Sequence, residues 1–230
     1  MYSADLAHIH DAGFSDFSRD VAPHLVAHLP PRGLIVEAGC GSGVLARALT
    51  DAGFRVRGFD ASPSMIALAR TRAPRASFRV ATLASAPIPR CDAAIAIGEV
   101  ITYVSAWRTV TRFFRRVHDA LPIGGVFLFD FIESGDRRTY PPKRIAGDDW
   151  SIVVRADLSD RNRVLTRRMT LFRKVGRTYR ESRATHRVYV RSRDMVAGAL
   201  RATGFAVTMG RSFGGYRLMP GDVAVVARKR

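Results

Sequence analysis

Apolar side chains first recur at a helical spacing, at Phe14, Phe17, Val21, Leu25 and Leu29, so residues 14–29 predict a helix ahead of the core. Pro30-Pro31-Arg32-Gly33 breaks that helix. Short apolar runs then alternate with amphipathic stretches. Leu34-Ile35-Val36 reads as a buried strand ending in Glu37, and further strands are predicted over residues 55–59, 77–81, 93–97 and 126–131. Between them fall a helix over residues 44–52 closed by Gly53 and one opened by Ser62-Pro63. A third carries its apolar face at Trp107, Val110, Phe113, Phe114, Val117 and Leu121. Such alternation predicts a parallel sheet with helices on both faces.

Past residue 150 the pattern becomes strand upon strand, over residues 151–156, 163–174 and 178–190. The last two are joined across Val175-Gly176-Arg177 as a hairpin. A helix over residues 193–203 ends at Gly204, and strands over 205–213 and 223–228 close the chain. The fold class expected is α/β, doubly wound and Rossmann-like, with seven strands in the main sheet and an antiparallel β insertion. Residues 1–230 form a single domain in this reading: a helical lid over 1–33, a cofactor-binding core over 34–149, the insertion over 150–191 and a closing helix with a strand pair over 192–230.

Composition narrows the setting. No apolar run approaches membrane-spanning length, and the first residues carry an early acid and no apolar core of a signal peptide. Cys40 and Cys91 form no spaced framework, so a reducing, cytoplasmic location is expected. The net charge of +17 is almost wholly arginine, since lysine stands only at positions 143, 174 and 229. The arginines form no single block. They read as solvated faces, with a nucleic-acid partner kept as the alternative.

The informative segment is Glu37-Ala38-Gly39-Cys40-Gly41-Ser42-Gly43, in which a strand delivers an acid, then three alternate glycines, then a helix. Glycines let the backbone approach a ligand with no side chain between. A second acid, Asp60, ends the next strand, where α/β folds grip ribose hydroxyls. Two acids around a glycine loop suit a ligand with an ammonium and a ribose, and suit a pyrophosphate poorly. The third glycine also arrives one residue too early for a dinucleotide fingerprint.

These residues resemble motif I of the class I S-adenosylmethionine methyltransferases. Gly58-Phe59-Asp60-Ala61-Ser62-Pro63-Ser64-Met65-Ile66 resembles the family's next motif, Cys91-Asp92-Ala93-Ala94-Ile95 the start of its fourth strand, and Leu121-Pro122-Ile123-Gly124-Gly125 the turn before its fifth. The likeness implies that S-adenosylmethionine is the cofactor and S-adenosylhomocysteine the product. It implies that Glu37 holds the methionine ammonium, that Gly39, Cys40, Gly41 and Gly43 pack on the methionine part, and that Asp60 holds the ribose. Ala61, Met65, Leu83 and Gly98 would complete the cofactor site. The family often has an acid facing the adenine; here Ala81-Thr82-Leu83-Ala84-Ser85 leaves apolar packing and backbone groups near Leu83.

The acceptor should meet the end of the fourth strand, where Glu99 is a candidate base and Tyr103 a candidate pocket residue. No Asn/Asp-Pro-Pro-Tyr tetrad stands there, which counts against adenine-N6 and glutamine acceptors. His8, His10 and Asp11 precede the first predicted helix, as a mobile terminus or part of a lid. His24 and His28 sit four apart but lack a third ligand, so no metal is expected. Arginine recurs along the insertion at positions 155, 167, 168, 173, 180, 183, 187 and 191. Most are expected on a wet face, with one or two entering the pocket to bind an acidic acceptor. The parity of His186 leaves it facing either pocket or water. The expected function is methyl transfer to N or O of a small, acidic metabolite, with no membrane partner. An RNA or protein methyltransferase and a non-catalytic S-adenosylmethionine-binding protein are the alternatives.

Overall fold

The structure is a computed structural model and describes residues 2–133, 141–159 and 163–230. In chain order its elements are α1 (Ala4–Phe14), α2 (Asp16–Val26), β1 (Leu34–Ala38), α3 (Val44–Asp51), β2 (Arg55–Asp60), α4 (Pro63–Arg72), β3 (Ser77–Val80) and β4 (Ala93–Ala96). A 3-10 turn (Val100–Tyr103) then leads to α5 (Trp107–Ala120), β5 (Val126–Ile132), β6 (Lys143–Ala146), β7 (Trp150–Ser159), β8 (Val164–Val175) and β9 (Thr178–Tyr189). The chain closes with α6 (Arg193–Thr203), β10 (Phe205–Gly210), β11 (Ser212–Phe213), β12 (Tyr216–Arg217) and β13 (Asp222–Lys229).

Seven strands form the main sheet in the order β10-β13-β5-β4-β1-β2-β3. The five from β3 to β5 are parallel, and β13 runs antiparallel to both β5 and β10. The chain runs outward from β1 to β3, then returns to place β4 on the other side of β1. Ligands bind beyond the carboxyl ends of strands at such a switch point. The acid-glycine segment after β1 and Gly98-Glu99 after β4 both stand there.

Alternate residues of the central strands feed two separate cores. Val36, Ala94 and Phe127 pack with Phe113 and Phe114 of α5 and Leu200 of α6. Ile35, Ile95 and Leu128 pack with Leu25 of α2 and Leu45 and Leu49 of α3. Local chemistry sets the helix ends as read: Ser62 accepts from the Met65 N–H at α4, and Gly204 closes α6 in the left-handed conformation, φ 105°.

A second sheet, in the order β6-β7-β8-β9, is antiparallel throughout. It has four strands where three were expected, since Lys143–Ala146 is too short and too basic to stand out as a strand. The expected terminus before the first helix is itself helical. Leu6 and Ile9 of α1 bury against Trp150, Ile152, Met169 and Leu171 of the second sheet. The Gly13 position makes room for the Trp150 indole, which a Cβ there would overlap.

Polar anchors hold α1 on both sides. Arg173 and Arg180 stand directly opposite each other on β8 and β9. Like charges so placed repel unless an acid intervenes. Asp5 supplies it, accepting from Arg180 Nε at 2.9 Å and Arg173 Nη1 at 3.4 Å. The Arg180 hydrogen bond leads in holding the Asp5 carboxyl below its ordinary range. Toward the main sheet, Asp11 accepts from both Arg72 terminal nitrogens, and Arg72 also reaches the Ser42 hydroxyl at 2.8 Å. No helix among the described residues is long and apolar enough to cross a membrane.

Candidate active site

A cavity of about 360 Å³ opens at the switch point. Of the residues expected to hold the cofactor, Glu37, Gly39, Cys40, Gly41, Asp60, Ala61, Met65, Leu83 and Gly98 line it together. Gly43 does not. At φ 79° it begins α3, and a Cβ there would meet the Ala69 Cα at 2.9 Å, so it serves close packing against α4.

Glu37 is 3% exposed, and its Oε2 has no hydrogen-bond partner. Burial, reinforced by the charge of Asp60, pushes its carboxyl up to about 8. A buried acid left this way awaits a cation, and the ammonium of an amino-acid ligand fits that requirement. Asp60 accepts from the Gly41 N–H at 3.1 Å and the Ser62 N–H at 2.8 Å. Burial raises its carboxyl and these backbone donors oppose the rise. Two oxygens already oriented by backbone keep lone pairs for ribose hydroxyls. Leu83 and Met65 are buried apolar lining. Arg116 fixes the Leu83 segment by donating to the carbonyls of Leu83 and Ala86. The residues present therefore fit S-adenosylmethionine.

Further lining comes from Tyr2, His10 and Phe14 at α1, from Tyr103 after β4, the candidate pocket residue, and from His186 on β9, whose parity the sequence left open. Their rings form a chain. Tyr2 lies 5.1 Å from His10 and 5.0 Å from His186, and Tyr103 meets His186 edge-on at 5.5 Å. Burial depresses both imidazoles, His186 to about 4, so both are neutral at pH 7. Burial, with Glu99 nearby, lifts the Tyr103 hydroxyl to about 12, so it stays protonated.

Glu99 differs from expectation. It is not among the cavity-lining residues, and the Arg167 guanidinium holds both its oxygens at 2.9 and 3.1 Å. That bidentate pair occupies both carboxylate oxygens. Glu99 is also a non-glycine residue in the left-handed region, φ 63°, a conformation that must be held in place. Asp130 holds it, accepting from the Gly98 N–H at 2.7 Å and the Glu99 N–H at 3.2 Å. Asp130 is 2% exposed, and burial pushes its carboxyl up to about 8. The expectation of an arginine-lined acceptor wall is overturned as well. Arg167 is the insertion arginine that reaches this region, and it is spent on Glu99 and on the Tyr103 hydroxyl at 3.4 Å. Among the described residues no arginine or lysine lines the cavity.

The two raised acids make stability depend on pH. Their folded-state values lie above those of an unfolded chain, near 4, so the folded protein holds more protons through the interval between. That contribution is fully present below about pH 4 and is lost as pH rises through about 8. Urea midpoints of the ligand-free protein are expected to fall from pH 5 to pH 8, and Glu37→Gln should flatten the slope. A midpoint that rises over this interval in the wild type would remove the buried-acid assignment.

A glycine loop and two acids stand together in one cavity at the switch point of this sheet. Residues 35–125 match the methyltransferase domain family. A probable S-adenosylmethionine-dependent methyltransferase of Mycolicibacterium smegmatis is 32% identical over 111 residues, covering 48% of this chain and 41% of that protein. A ubiquinone biosynthesis O-methyltransferase of a Methylobacterium species is 34% identical over 129 residues, covering 53% and 49%. The chain thus spans about half the length of these relatives or less. Among solved structures, an S-adenosylmethionine-dependent methyltransferase from Clostridium acetobutylicum superposes with a TM-score of 0.79 at 15% identity, over 97% of both chains. The S-adenosylmethionine-bound amino pentose methyltransferase from Micromonospora echinaspora superposes at 0.76 and 18% identity, over 100% of this chain and 98% of that one. Residues 35–125 thus match a methyltransferase domain, and the chain as a whole has the fold of solved S-adenosylmethionine-dependent methyltransferases.

Proposed function

We propose that this chain transfers the methyl group of S-adenosylmethionine to a nitrogen or oxygen of a small molecule enclosed between the main sheet and the second sheet. The observation that carries the reading is the cavity of about 360 Å³, of small-ligand size. Its lining joins the acid-glycine loop to Tyr2, Tyr103 and His186. The cofactor supplies an electrophilic methyl carbon when bound. The protein's own residues bind, orient and exclude water. Glu37 would hold the ammonium and Asp60 the ribose hydroxyls. Gly39, Cys40, Gly41, Ala61 and Gly98 would let the ligand lie against backbone, and Met65 and Leu83 would pack on the adenine. Helix α1 acts as the lid over residues 1–33, anchored by Asp5 and Asp11, and the sheet β6–β9 roofs the acceptor end. Tyr103 positions the acceptor by its hydroxyl, itself held by Arg167. The solved amino pentose methyltransferase supports the small-molecule class through its fold alone. The cytoplasm, with its supply of this cofactor, is the compartment we assign.

Two tests follow. Asp60→Ala should weaken S-adenosylhomocysteine binding by about 1–3 kcal/mol, the range for hydrogen bonds to a charged group. Unchanged affinity would remove Asp60 from the site. Screening metabolites for methyl transfer should give turnover with small acceptors. Generic RNA should bind weakly, with an affinity that falls steeply with salt. Salt-resistant, sequence-selective RNA binding would favour the nucleic-acid alternative. Cofactor binding without turnover of any acceptor would favour a non-catalytic sensor.

A further inference from the structure

Resting on the methyltransferase reading, we infer that the acceptor is an uncharged amine, attacked at nitrogen, and that the acceptor end of the cavity discriminates against carboxylates and phosphates. Three observations combine. First, no arginine or lysine lines the cavity among the described residues, while two acids, Glu37 and Asp60, do. A buried anionic acceptor would find no protein cation in the lining to pair with. Arg167, which lies beside this end, is neutralised by both oxygens of Glu99 at 2.9 and 3.1 Å.

Second, the groups around the acceptor end do not include a competent base for an alcohol. Glu99 is outside the lining and held by Arg167. Tyr103 keeps its proton, and the imidazoles of His10 and His186 are depressed by burial, so they accept hydrogen bonds but take protons poorly. A nucleophile arriving with its lone pair free needs no such base. The amine lone pair forms the N–C bond as the S–C bond breaks, and that bond's electron pair stays on sulfur as a neutral thioether. Positive charge passes from sulfur to nitrogen without any proton moving. The ammonium so formed gives its proton to water after release.

Third, the cavity favours that charge where it ends. Tyr2, His10, Tyr103 and His186 form a continuous ring cluster with centroid spacings of 5.0 to 5.5 Å. Aromatic faces attract a cation, and more strongly where water is excluded. Neutral imidazole nitrogens and the Tyr103 hydroxyl can orient an N–H donor before reaction. The same cluster would bind the body of an acceptor that carries a flat ring or a sugar-like face.

The test uses benzylamine, benzyl alcohol and benzoate as matched probes. S-adenosylhomocysteine binding is measured first, because its absence counts against the methyltransferase reading itself. At a pH above the pKa of benzylamine, where the free amine predominates, the three probes are then titrated by calorimetry into protein saturated with S-adenosylhomocysteine, and each is incubated separately with S-adenosylmethionine. Benzylamine should bind at least about tenfold tighter than benzoate, and benzylamine alone should yield a methylated product. A His186→Arg variant, which puts a cation beside the rings, should reverse the binding preference toward benzoate. Benzoate binding as tightly as benzylamine, methylation of the alcohol, or failure of benzylamine to bind the loaded wild type would overturn the inference while leaving cofactor binding intact.

Discussion

Replacing Gly41 with valine should abolish S-adenosylhomocysteine binding while leaving a folded protein. Gly41 lines the cavity, and a Cβ built on it meets no protein atom within 4 Å. A branched side chain there would take ligand space and not clash with the fold. Its φ of 51° adds a local cost of about 1–2 kcal/mol for any residue with a Cβ, so a control is needed. Gly53 supplies it: it also has positive φ, 93°, with open space at the Cβ position, but it closes α3 away from the cavity. Gly53→Val and Gly41→Val should both lower the melting temperature by several degrees. Gly41→Val alone should lose at least about a hundredfold in affinity, or ~2.7 kcal/mol. If both variants bind the ligand within a few-fold of the wild type, the glycine loop does not touch it.

Glu37→Gln should weaken the same ligand by about 1.5–3 kcal/mol and change the proton balance of binding. In the free protein the Glu37 carboxyl is held near 8 by burial, so at pH 7 it is largely protonated. An arriving ammonium favours the carboxylate, and the proton must leave. Binding at pH 7 should therefore release most of a proton. Calorimetric titrations in two buffers of different ionisation enthalpy measure this release directly. Glutamine cannot ionise, so the release should vanish in the variant together with the affinity. Wild-type binding with no buffer dependence would mean that the ligand ammonium lies elsewhere.

The part of this site legible in the sequence is the part built from adjacent residues. Glu37 and the glycines after it lie on one short segment, and Asp60 ends the next strand, so spacing alone carried them into one place. The doubly wound sheet was legible for the same reason, since each strand and helix announces itself by its own apolar period. The partners that needed long-range pairing were not. Asp130 sits in Val-Phe-Leu-Phe-Asp-Phe-Ile, buried at every position, where the pattern reads only as a core strand. Its signal was there: an acid in a fully buried strand must be protonated or partnered.

Arg167 and His186 stand opposite each other on β8 and β9 and share the inner face of the second sheet. One residue of register separates that face from water. Sequence alone did not set this register, so Arg168, on the wet face paired with Asp157, looked the same as Arg167. Helix α1 was missed because its apolar stripe is short, with Leu6 and Ile9 set among His8, His10 and Asp11. Its place is fixed instead by distant groups, Trp150, Arg173 and Arg180 of the second sheet and Arg72 of α4. The partner of Glu99 was not legible for the same physical cause, because the cation that holds it comes from sixty-eight residues away.

The most direct test of the account is a calorimetric titration of the wild-type chain with S-adenosylhomocysteine. The account predicts saturable one-to-one binding at about 1 μM or tighter, near −8 kcal/mol, with a proton released at pH 7. No measurable heat or saturation up to millimolar ligand, from protein shown to be folded, would contradict it.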